Sequence, residues 1–314
     1  MLSAIHPLLF YVGVIAASLV VVAKSSDLLV YSISNYAKKL GISDYLIGFI
    51  VVSIGTAIPE LVASITGALA GQGSIVLGTV LGSNLFKIPL IGAILLVARK
   101  TKINENAVGN APIITLLLSV LPILLIMDGS ISRVDGAILL IAFFIYIWRL
   151  WNAEGRLGKI KKDIGLQNIL KDSLIFIGSL IALLLGARWL VYSSITLSNM
   201  LSISPYIIGL FVIGVGASTP ELTVQLRSIM KHHQDIAFGN VLGSIVANST
   251  LVLGIVGLIQ PFSIGFKTIM ITAIFIVVGT LFILLIMQKK EVVLEDGLIL
   301  ILIYVLFMLF EFMF

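Results

Sequence analysis

The sequence predicts an all-α membrane protein in which ten transmembrane helices form two inverted-topology repeats of five. Two observations support this fold class: the composition, and a second half that repeats the first. Of the 314 residues, 59% are hydrophobic and 11% are charged, whereas soluble domains carry roughly 25% charged residues. Because lipid offers no partner to an unpaired backbone N–H or C=O group, long apolar runs that cross it must be helical.

Ten apolar stretches are long enough to cross a bilayer, which takes about 20 residues per helix. In chain order they cover 8–31, 44–69, 74–97, 109–127, 134–151, 173–196, 205–229, 236–259, 268–287 and 296–313. The first stretch lacks a basic leader and a small-residue cleavage site, so we expect a membrane span rather than a signal peptide. The chain has no cysteine, which excludes disulfides and thiolate metal sites.

Lysine and arginine are distributed unevenly between the two sides of the predicted bundle. Fifteen fall in connections on one side, while only Arg133 and Lys267 fall on the other. Since cytoplasmic loops are enriched in Lys and Arg, we expect both termini outside and the 152–172 connection in the cytoplasm. The short loops are typical of a prokaryotic cell-membrane protein. The expected partner of such a chain is the lipid bilayer; neither nucleic acid nor an oligomer is required.

The second half of the chain matches the first when it is shifted by 161 residues. The stretch ISDYLIGFIVVSIGTAIPEL aligns with ISPYIIGLFVIGVGASTPEL, and GTVLGS aligns with GNVLGS. Five spans per half place the second copy upside down, as in transporters whose substrate site lies between the repeats near the bilayer midplane. The predicted units are a first repeat (1–151), a basic linker (152–172) and a second repeat (173–314).

Each repeat carries a helix-breaking motif inside an otherwise apolar span, GTAIPEL in the first and GASTPEL in the second. Pro59 and Pro220 each remove a backbone N–H group and clash with the preceding turn, and Gly55 and Gly216 loosen that turn. Carbonyl groups freed in this way are tolerated at membrane depth only against protein or a water-lined cavity. Such carbonyl groups are also good ligands for hard cations.

A carboxylate follows each of these prolines, Glu60 in the first repeat and Glu221 in the second. A bare charge at the bilayer centre costs at least ~3 kcal/mol, so two carboxylates at related positions need a cation or protons to neutralise them. We therefore predict a metal-ion site with Glu60 and Glu221 as its anionic ligands. Further candidate ligands are the hydroxyl groups of Thr56 and Ser218 and the backbone carbonyl groups of Ser53 and Gly214. The alternative is a pair of neutral glutamates held by hydrogen bonds.

The stretches GTVLGSNLFK and GNVLGSIVAN supply a second wall for this site. Their glycines are four residues apart, a spacing that lets helices approach closely. Ser83 and Lys87 lie one turn apart on a common helix face, and Ser244 and Asn248 are their counterparts in the second repeat. These faces would complete a cage of oxygen atoms around the two glutamates.

The two motif pairs together resemble the signature repeats of the sodium/calcium exchanger family, within the calcium/cation antiporter superfamily. GTAIPE and GASTPE are similar to the family's G-[ST]-S-x-P-E element, and GTVLGS and GNVLGS to its G-N-x-x-G-S element. The resemblance implies a diamond-shaped set of cation sites at which Ca²⁺ is exchanged against Na⁺ by alternating access. The ligands that it implies are Thr56, Glu60, Ser83, Ser218, Glu221, Ser244 and Asn248.

Lys87 departs from the family pattern, which usually has a carboxamide or carboxylate at this place in each repeat. Ala57 and Ala217 likewise stand where the family has hydroxyl groups. A charged lysine has three donors and no acceptor, so it cannot ligate a cation. Three roles remain open: a neutral amine, a tethered cation that replaces one driving ion, or a group that exchanges a proton in each cycle. A fourth alternative is that Lys87 points away from the site or snorkels.

Asp27 and Arg188 are related by the same 161-residue offset. Opposite charges at related positions in the first and sixth spans predict a gating pair. In the family these two helices are thought to slide across the core, so such a pair would bias one facing state. The alternatives are that each side chain snorkels towards an interface, or that Asp27 pairs with Lys24 one turn earlier.

The sequence therefore favours a secondary antiporter whose partners are small inorganic cations, without a cofactor, and leaves three alternatives. The first is a proton-coupled exchanger (Ca²⁺/H⁺ or Na⁺/H⁺) in which Lys87 titrates or acts as a tethered cation. The second is a passive channel. The third is an intramembrane enzyme with a Ser83–Lys87 dyad, against which stands the lack of an oxyanion-hole element. The 152–172 linker is too short to be a regulatory domain.

Overall fold

The computed structural model describes residues 2–39, 57–98, 100–102, 111–154, 166–218, 221, 234–289 and 291–313. The described part of the chain is mostly helical. Its helices are α1 (Leu2–Lys39), α2 (Ile58–Leu69), α3 (Gly73–Ala98), α4 (Ala111–Leu125), α5 (Arg133–Glu154), α6 (Leu166–Leu201), α7 (Pro205–Ala217), α8 (234–259), α9 (Phe266–Met287) and α10 (Leu294–Met313).

Each of these helices overlaps one of the predicted apolar stretches. Six described segments are long and apolar enough to span a membrane: Pro7–Leu29, Gly73–Leu96, Asp172–Leu201, Asn240–Ile259, Phe266–Met287 and Leu294–Met313. Shorter apolar helices are Ile58–Leu69, Ile113–Asp128 and Pro205–Ala217, and parts of the corresponding predicted spans lie outside the described residues. The protein is thus a helical membrane protein, and the crossing of the membrane by ten helices stays a prediction.

The first and sixth predicted spans form longer helices than the sequence indicated. α1 has 38 residues and α6 has 36, which corresponds to about 55 Å of helix each at 1.5 Å per residue. The two helices pack along each other, and their contact buries Val22, Leu29, Leu183 and Ala187. Both also contact α2 and α7, so this pair lies directly beside the two helices that contain the described parts of the GTAIPEL and GASTPEL motifs.

α3 crosses α7 so closely that only glycine fits at the contact. A Cβ atom on Gly82 would lie 2.1 Å from the carbonyl oxygen of Leu210, and one on Gly78 would lie 2.2 Å from that of Tyr206. The glycines four residues apart therefore allow backbone contact between a helix of the first repeat and a helix of the second. This crossing determines which face of α3 meets the end of α7.

Two further helix crossings join the last helix of each repeat to the third helix of the other. A Cβ atom on Gly136 in α5 would lie 2.8 Å from the Gly254 carbonyl oxygen in α8, and one on Gly297 in α10 would lie 2.6 Å from that of Gly92 in α3. Gly136 and Gly297 are counterparts at the 161-residue offset. The largest buried apolar cluster runs along α3, α9 and α10, so the core lies between the repeats rather than within each one.

Two short antiparallel ladders connect helix ends, a feature that the all-α prediction missed. β1 (Lys100–Lys102) pairs with β4 (Glu291–Val293), and β2 (Ser130–Ile131) pairs with β3 (Phe262–Ser263). The strands have two or three residues each, too few to give a recognisable alternating pattern of apolar residues.

The two ladders have equivalent registers. Thr101 pairs with Val292 in one, and Phe262 pairs with Ile131 in the other; the 161-residue offset converts the first pair into the second. β3 and β4 lie at opposite ends of the 22-residue helix α9, which is about 33 Å long. Equivalent contacts at opposite ends of one helix are what an inverted repeat requires, and the inverted arrangement itself stays a prediction.

We predict that Gly82→Ala destabilises the protein, because the added methyl group would overlap the Leu210 carbonyl group, which cannot move without displacing α7. Overpacking of this kind costs about 1–3 kcal/mol, and thermal unfolding of the purified protein in detergent measures it. Gly178→Ala is the matched control, since a Cβ atom on Gly178 meets nothing within 4 Å. Equal unfolding temperatures for the two variants would contradict the close contact between α3 and α7.

Candidate functional site

The first helix-breaking motif places a carboxylate at the start of a buried helix. α2 begins at Ile58, with Pro59 and Glu60 in its first turn. Proline is tolerated there because the first-turn N–H groups have no partner within the helix. The Glu60 side chain is fully buried. The other sequence-predicted residues of this motif (Ser53, Gly55 and Thr56) lie outside the described residues.

The second helix-breaking motif lies where α7 ends. α7 contains a π-helical turn at Gly209–Ile213 and ends at Ala217. Ser218 follows, and its backbone N–H donates to the Gly214 carbonyl oxygen over 3.3 Å. The Ser218 hydroxyl group lies 2.9 Å from the same carbonyl oxygen and 3.0 Å from Glu60 Oε1, and its single proton is donated to one of the two. That carbonyl is therefore less available as a cation ligand than the sequence indicated. Glu221 is fully buried, whereas Pro220 lies outside the described residues.

Four buried polar side chains, Glu60, Ser83, Ser218 and Asn248, form one cluster, which we name the Glu60 side. The hydroxyl groups of Ser83 and Ser218 each lie 3.0 Å from Glu60 Oε1 and 2.6 Å from each other. Asn248 donates from Nδ2 to Ser83 Oγ over 2.9 Å. Within the described structure, Glu60 Oε2 and Asn248 Oδ1 have no hydrogen-bond partner, so two oxygen acceptors remain for a further group.

A second cluster, the Glu221 side, consists of Glu221, Ser244 and Lys87. Ser244 Oγ lies 3.4 Å from Glu221 Oε2 and 3.0 Å from the Val241 carbonyl oxygen, and its single proton is donated to one of the two. Lys87 Nζ lies 3.7 Å from the same carboxylate oxygen, and neither side chain of this pair is exposed. The Ser244–Glu221 contact repeats the Ser83–Glu60 contact at the 161-residue offset.

Lys87 points into the protein rather than snorkelling away from the site. Its Nζ atom is too far from Glu221 for a hydrogen bond, so the interaction is one between charges in a water-poor environment, where it is stronger than at a surface. With all three groups ionised, Glu60, Glu221 and Lys87 carry a total of one negative charge. The amine of Lys87 has no hydrogen-bond partner within the described structure.

Two helices connect the Glu60 side to the Glu221 side. α3 presents Ser83 to one carboxylate and Lys87 to the other, because residues four apart share a helix face. α8 presents Ser244 and Asn248 in the same manner. Asn248 stands in a π-helical turn, Ala247–Val252, that joins the two α-helical parts of α8; such turns are frequent at functional sites.

The structure adds a polar pair that the sequence analysis did not identify. Asn84 donates from Nδ2 to Ser249 Oγ over 2.8 Å, and both side chains are buried. Each residue directly follows a member of the Glu60 side, Ser83 or Asn248. A pair of adjacent polar residues in each of two apolar helices was the available signal. This second bond ties α3 to α8 beside the cluster.

Asp27 and Arg188, the predicted gating pair, are exposed on α1 and α6. Arg188 lines a groove of about 460 Å³ with Leu185, Trp189 and Tyr192. The two helices pack together, and the pairing of the two charges stays a prediction.

The chemistry of the two clusters suits a hard cation. No group of three acidic, histidine or cysteine side chains lies together in the part of the chain that the structure describes. The acceptors that the two clusters offer are carboxylate, hydroxyl and amide oxygen atoms, which are the ligand types that Ca²⁺ takes. The Ser83–Lys87 dyad of the enzyme alternative is not formed, since Ser83 contacts Glu60 while Lys87 contacts Glu221.

Comparison with known proteins identifies the family of this chain. A family model described as "Sodium/calcium exchanger protein" matches residues 10–152 and 172–313. The chain is 31% identical to the inner membrane protein YrbG of Escherichia coli, over 81% of this chain and 81% of YrbG. It is 28% identical to the sodium/calcium exchanger MaX1 of Methanosarcina acetivorans, over 94% of this chain and 96% of MaX1.

Two solved structures have a similar fold. The sodium-calcium exchanger NCX_Mj superposes with a TM-score of 0.68 at 23% identity, covering 95% of this chain and 98% of NCX_Mj. The H⁺/Ca²⁺ exchanger CAX superposes with a TM-score of 0.77 at 14% identity, covering 95% of this chain and 82% of CAX. At these identities the likeness concerns the fold.

We predict that, without bound cations, Glu221→Gln destabilises the protein while Glu60→Gln does not. Breaking a buried ion pair by removing one partner costs up to about 3–5 kcal/mol, and Lys87 would lose its nearest counter-charge and keep only the more distant carboxylate of Glu60. Glu60 contacts hydroxyl groups, so its amide would retain hydrogen bonds. Thermal unfolding in detergent, with N-methyl-D-glucamine as the buffer cation, measures both effects. Equal unfolding temperatures for these variants would contradict the Lys87–Glu221 pair.

Proposed function

This chain belongs to the sodium/calcium exchanger protein family, and on that premise we propose that it exchanges Ca²⁺, or another cation, against Na⁺ by alternating access. Family membership makes it a transporter rather than an enzyme. The observation that carries the proposal is the pair of fully buried carboxylates, Glu60 and Glu221. Each lies beside a serine, and one helical turn after that serine the same helix contributes a residue to the other cluster.

The proposed ligands are the oxygen atoms of both clusters. Glu60 Oε2 and Asn248 Oδ1 have no hydrogen-bond partner in the described structure, and Ser83 and Ser218 lie within 3.0 Å of the Glu60 carboxylate. Ser244 adds a hydroxyl group beside Glu221. Thr56 and the Ser53 carbonyl group remain proposed ligands by their place in the repeat.

The buried carboxylates explain why such a site would exchange one ion for another rather than return empty after releasing an ion. To face the other side of the membrane, a site must pass through a state closed to water on both sides, and with an uncompensated charge this state costs several kcal/mol. Reorientation is therefore favoured only when a cation neutralises the site, so each outward-carried ion is replaced by an inward-carried one. This coupling requires no cofactor.

The proposed moving part is the pair of long helices α1 and α6, which packs against α2 and α7 beside both clusters. The equivalent ladder registers at opposite ends of α9 support two inverted repeats, whose two facing states would be related by symmetry. An attraction between Asp27 and Arg188 would favour one of these states.

The organisation and location follow from the same premise. The two stretches matched by the family, 10–152 and 172–313, support repeats at 1–151 and 173–314 with a basic linker between them. The excess of Lys and Arg on one side supports a cytoplasmic linker with both termini outside, in a prokaryotic cell membrane. The name of MaX1, a sodium/calcium exchanger, supports Ca²⁺ and Na⁺ as the exchanged ions.

We expect reconstituted protein in Na⁺-loaded liposomes to take up radioactive Ca²⁺, and Glu60→Gln and Glu221→Gln to reduce uptake to the level of protein-free liposomes. Glu60→Gln removes an anionic ligand, and Glu221→Gln leaves the positive charge of Lys87 beside the ion site without its nearest counter-charge. Glu295→Gln is the matched control, since Glu295 is exposed at the start of α10. Uptake at the unchanged rate in both site variants, with comparable amounts of folded protein, would refute the two-glutamate site.

The same liposomes distinguish the alternatives. Uptake driven by a pH gradient in the absence of Na⁺ would favour the proton-coupled exchanger, a reaction that the name of the similar structure CAX states for that protein. Uptake that needs no counter-ion gradient and gives unitary currents in a planar bilayer would identify a channel.

A further inference from the structure

The two repeats place different chemical groups at equivalent positions around their carboxylates. Glu60 adjoins the hydroxyl group of Ser218, and the amide of Asn248 completes its cluster. At the 161-residue offset, the counterparts of these two residues are Ala57 and Lys87. Within the described residues, the Glu60 side therefore consists of oxygen-bearing groups without a positive charge. On the Glu221 side, the methyl group of Ala57 replaces the hydroxyl group of Ser218, and the amine of Lys87 replaces the amide of Asn248.

We propose that the Lys87 ammonium group permanently occupies the cation position beside Glu221, so that only the Glu60 side takes up a transported cation. This inference rests on the proposed antiporter function and refines its ion site. Lys87 Nζ lies 3.7 Å from Glu221 Oε2, and both side chains are fully buried. At this distance the ammonium neutralises Glu221 as a bound monovalent cation would.

The tether prevents this cation from leaving. Lys87 belongs to α3, whose backbone contacts α7 at Gly82 and α10 at Gly92, so the residue is held in the core rather than in a mobile connection. A covalently attached cation is not released on either side of the membrane. The Glu221 side therefore contributes no exchange, and the negative charge of Glu60 is the charge left for transported ions.

The Glu60 side retains the chemistry of a small hard-cation site. Its available oxygen atoms, Glu60 Oε2 and Asn248 Oδ1, suit either Na⁺ or Ca²⁺. The single negative charge of Glu60 balances a monovalent cation but only half of the charge of a divalent cation. The positive charge of Lys87 also repels a divalent cation twice as strongly as a monovalent one. We therefore expect one monovalent cation fewer per cycle, and weaker Ca²⁺ binding, than a neutral residue at position 87 would give.

Lys87→Asn tests the inference, because it gives both repeats the residue found at Asn248. Cation binding is measured as the rise in unfolding temperature of detergent-purified protein titrated with NaCl or CaCl₂. We expect the apparent affinity for Ca²⁺ to rise at least ~100-fold and that for Na⁺ by only about 10-fold, because repulsion scales with the charge of the ion. The Hill coefficient for Na⁺ should rise by about one, as a second position opens beside Glu221.

Two further substitutions separate charge from structure. Lys87→Arg keeps the positive charge and should leave both affinities within a few-fold of those of the unchanged protein. Lys87→Met removes the charge without adding an oxygen ligand, so Ca²⁺ affinity should rise while the Hill coefficient for Na⁺ stays the same. A lysine with a merely structural role would alter stability in all three variants without discriminating between Na⁺ and Ca²⁺, and that outcome would overturn the inference.

A variant that leaves Lys87 in place covers the case in which its substitutions do not fold. Asn248→Asp adds a negative charge to the Glu60 side, so Ca²⁺ affinity should rise at least ~10-fold and more than Na⁺ affinity. An unchanged ratio of the two affinities would count against the charge deficit on which the inference depends.

Transport measurements distinguish a failure of this inference from a failure of the proposed antiporter function. If the unchanged protein shows no coupled cation exchange in liposomes, the antiporter proposal fails. If it exchanges cations but Lys87→Asn keeps the same number of Na⁺ ions per Ca²⁺ and the same two affinities, the antiporter proposal stands and the tethered cation is excluded.

Discussion

The burial of two carboxylates, Glu60 and Glu221, is the constraint on which the rest of the structure depends. A charge removed from water is tolerated only when it is paired or hydrogen-bonded. The protein meets this need differently at each carboxylate, with hydroxyl groups at Glu60 and an ammonium group at Glu221. α3 supplies one partner to each carboxylate, Ser83 to Glu60 and Lys87 to Glu221, and α3 reaches the end of α7 only because glycine allows the two backbones to touch.

Repetition and divergence have separate effects in this molecule. The repeated glycine crossings and the two equivalent ladders reproduce one geometry twice, so a carboxylate and a serine meet in both halves. The side chains at only a few positions then make the clusters chemically unlike, above all Lys87 opposite Asn248. A backbone frame set by close contacts tolerates such exchanges, because the contacts do not involve the exchanged side chains.

Sequence reasoning predicted those members of the clusters whose side chains would be costly to expose to lipid. Glu60, Ser83 and Asn248 are polar residues in apolar helices, and the structure brings these three together. It did not identify the π-helical turns, the short ladders or the Asn84–Ser249 bond, because each depends on which distant backbone or side chain lies opposite. The Gly214 carbonyl group was expected to be free, but it accepts a hydrogen bond from the backbone N–H of Ser218 and lies 2.9 Å from the hydroxyl group of the same residue.

By itself, the sequence determined a helical membrane protein, the correspondence of its halves and the residues too polar to face lipid, because composition, periodicity and an internal offset are properties of the chain alone. Only the tertiary structure decided the direction of Lys87. A long, flexible side chain can reach an interface or turn inward, and the choice depends on the neighbours that packing provides. Here packing leaves Lys87 no path to solvent and places the Glu221 carboxylate 3.7 Å from its amine.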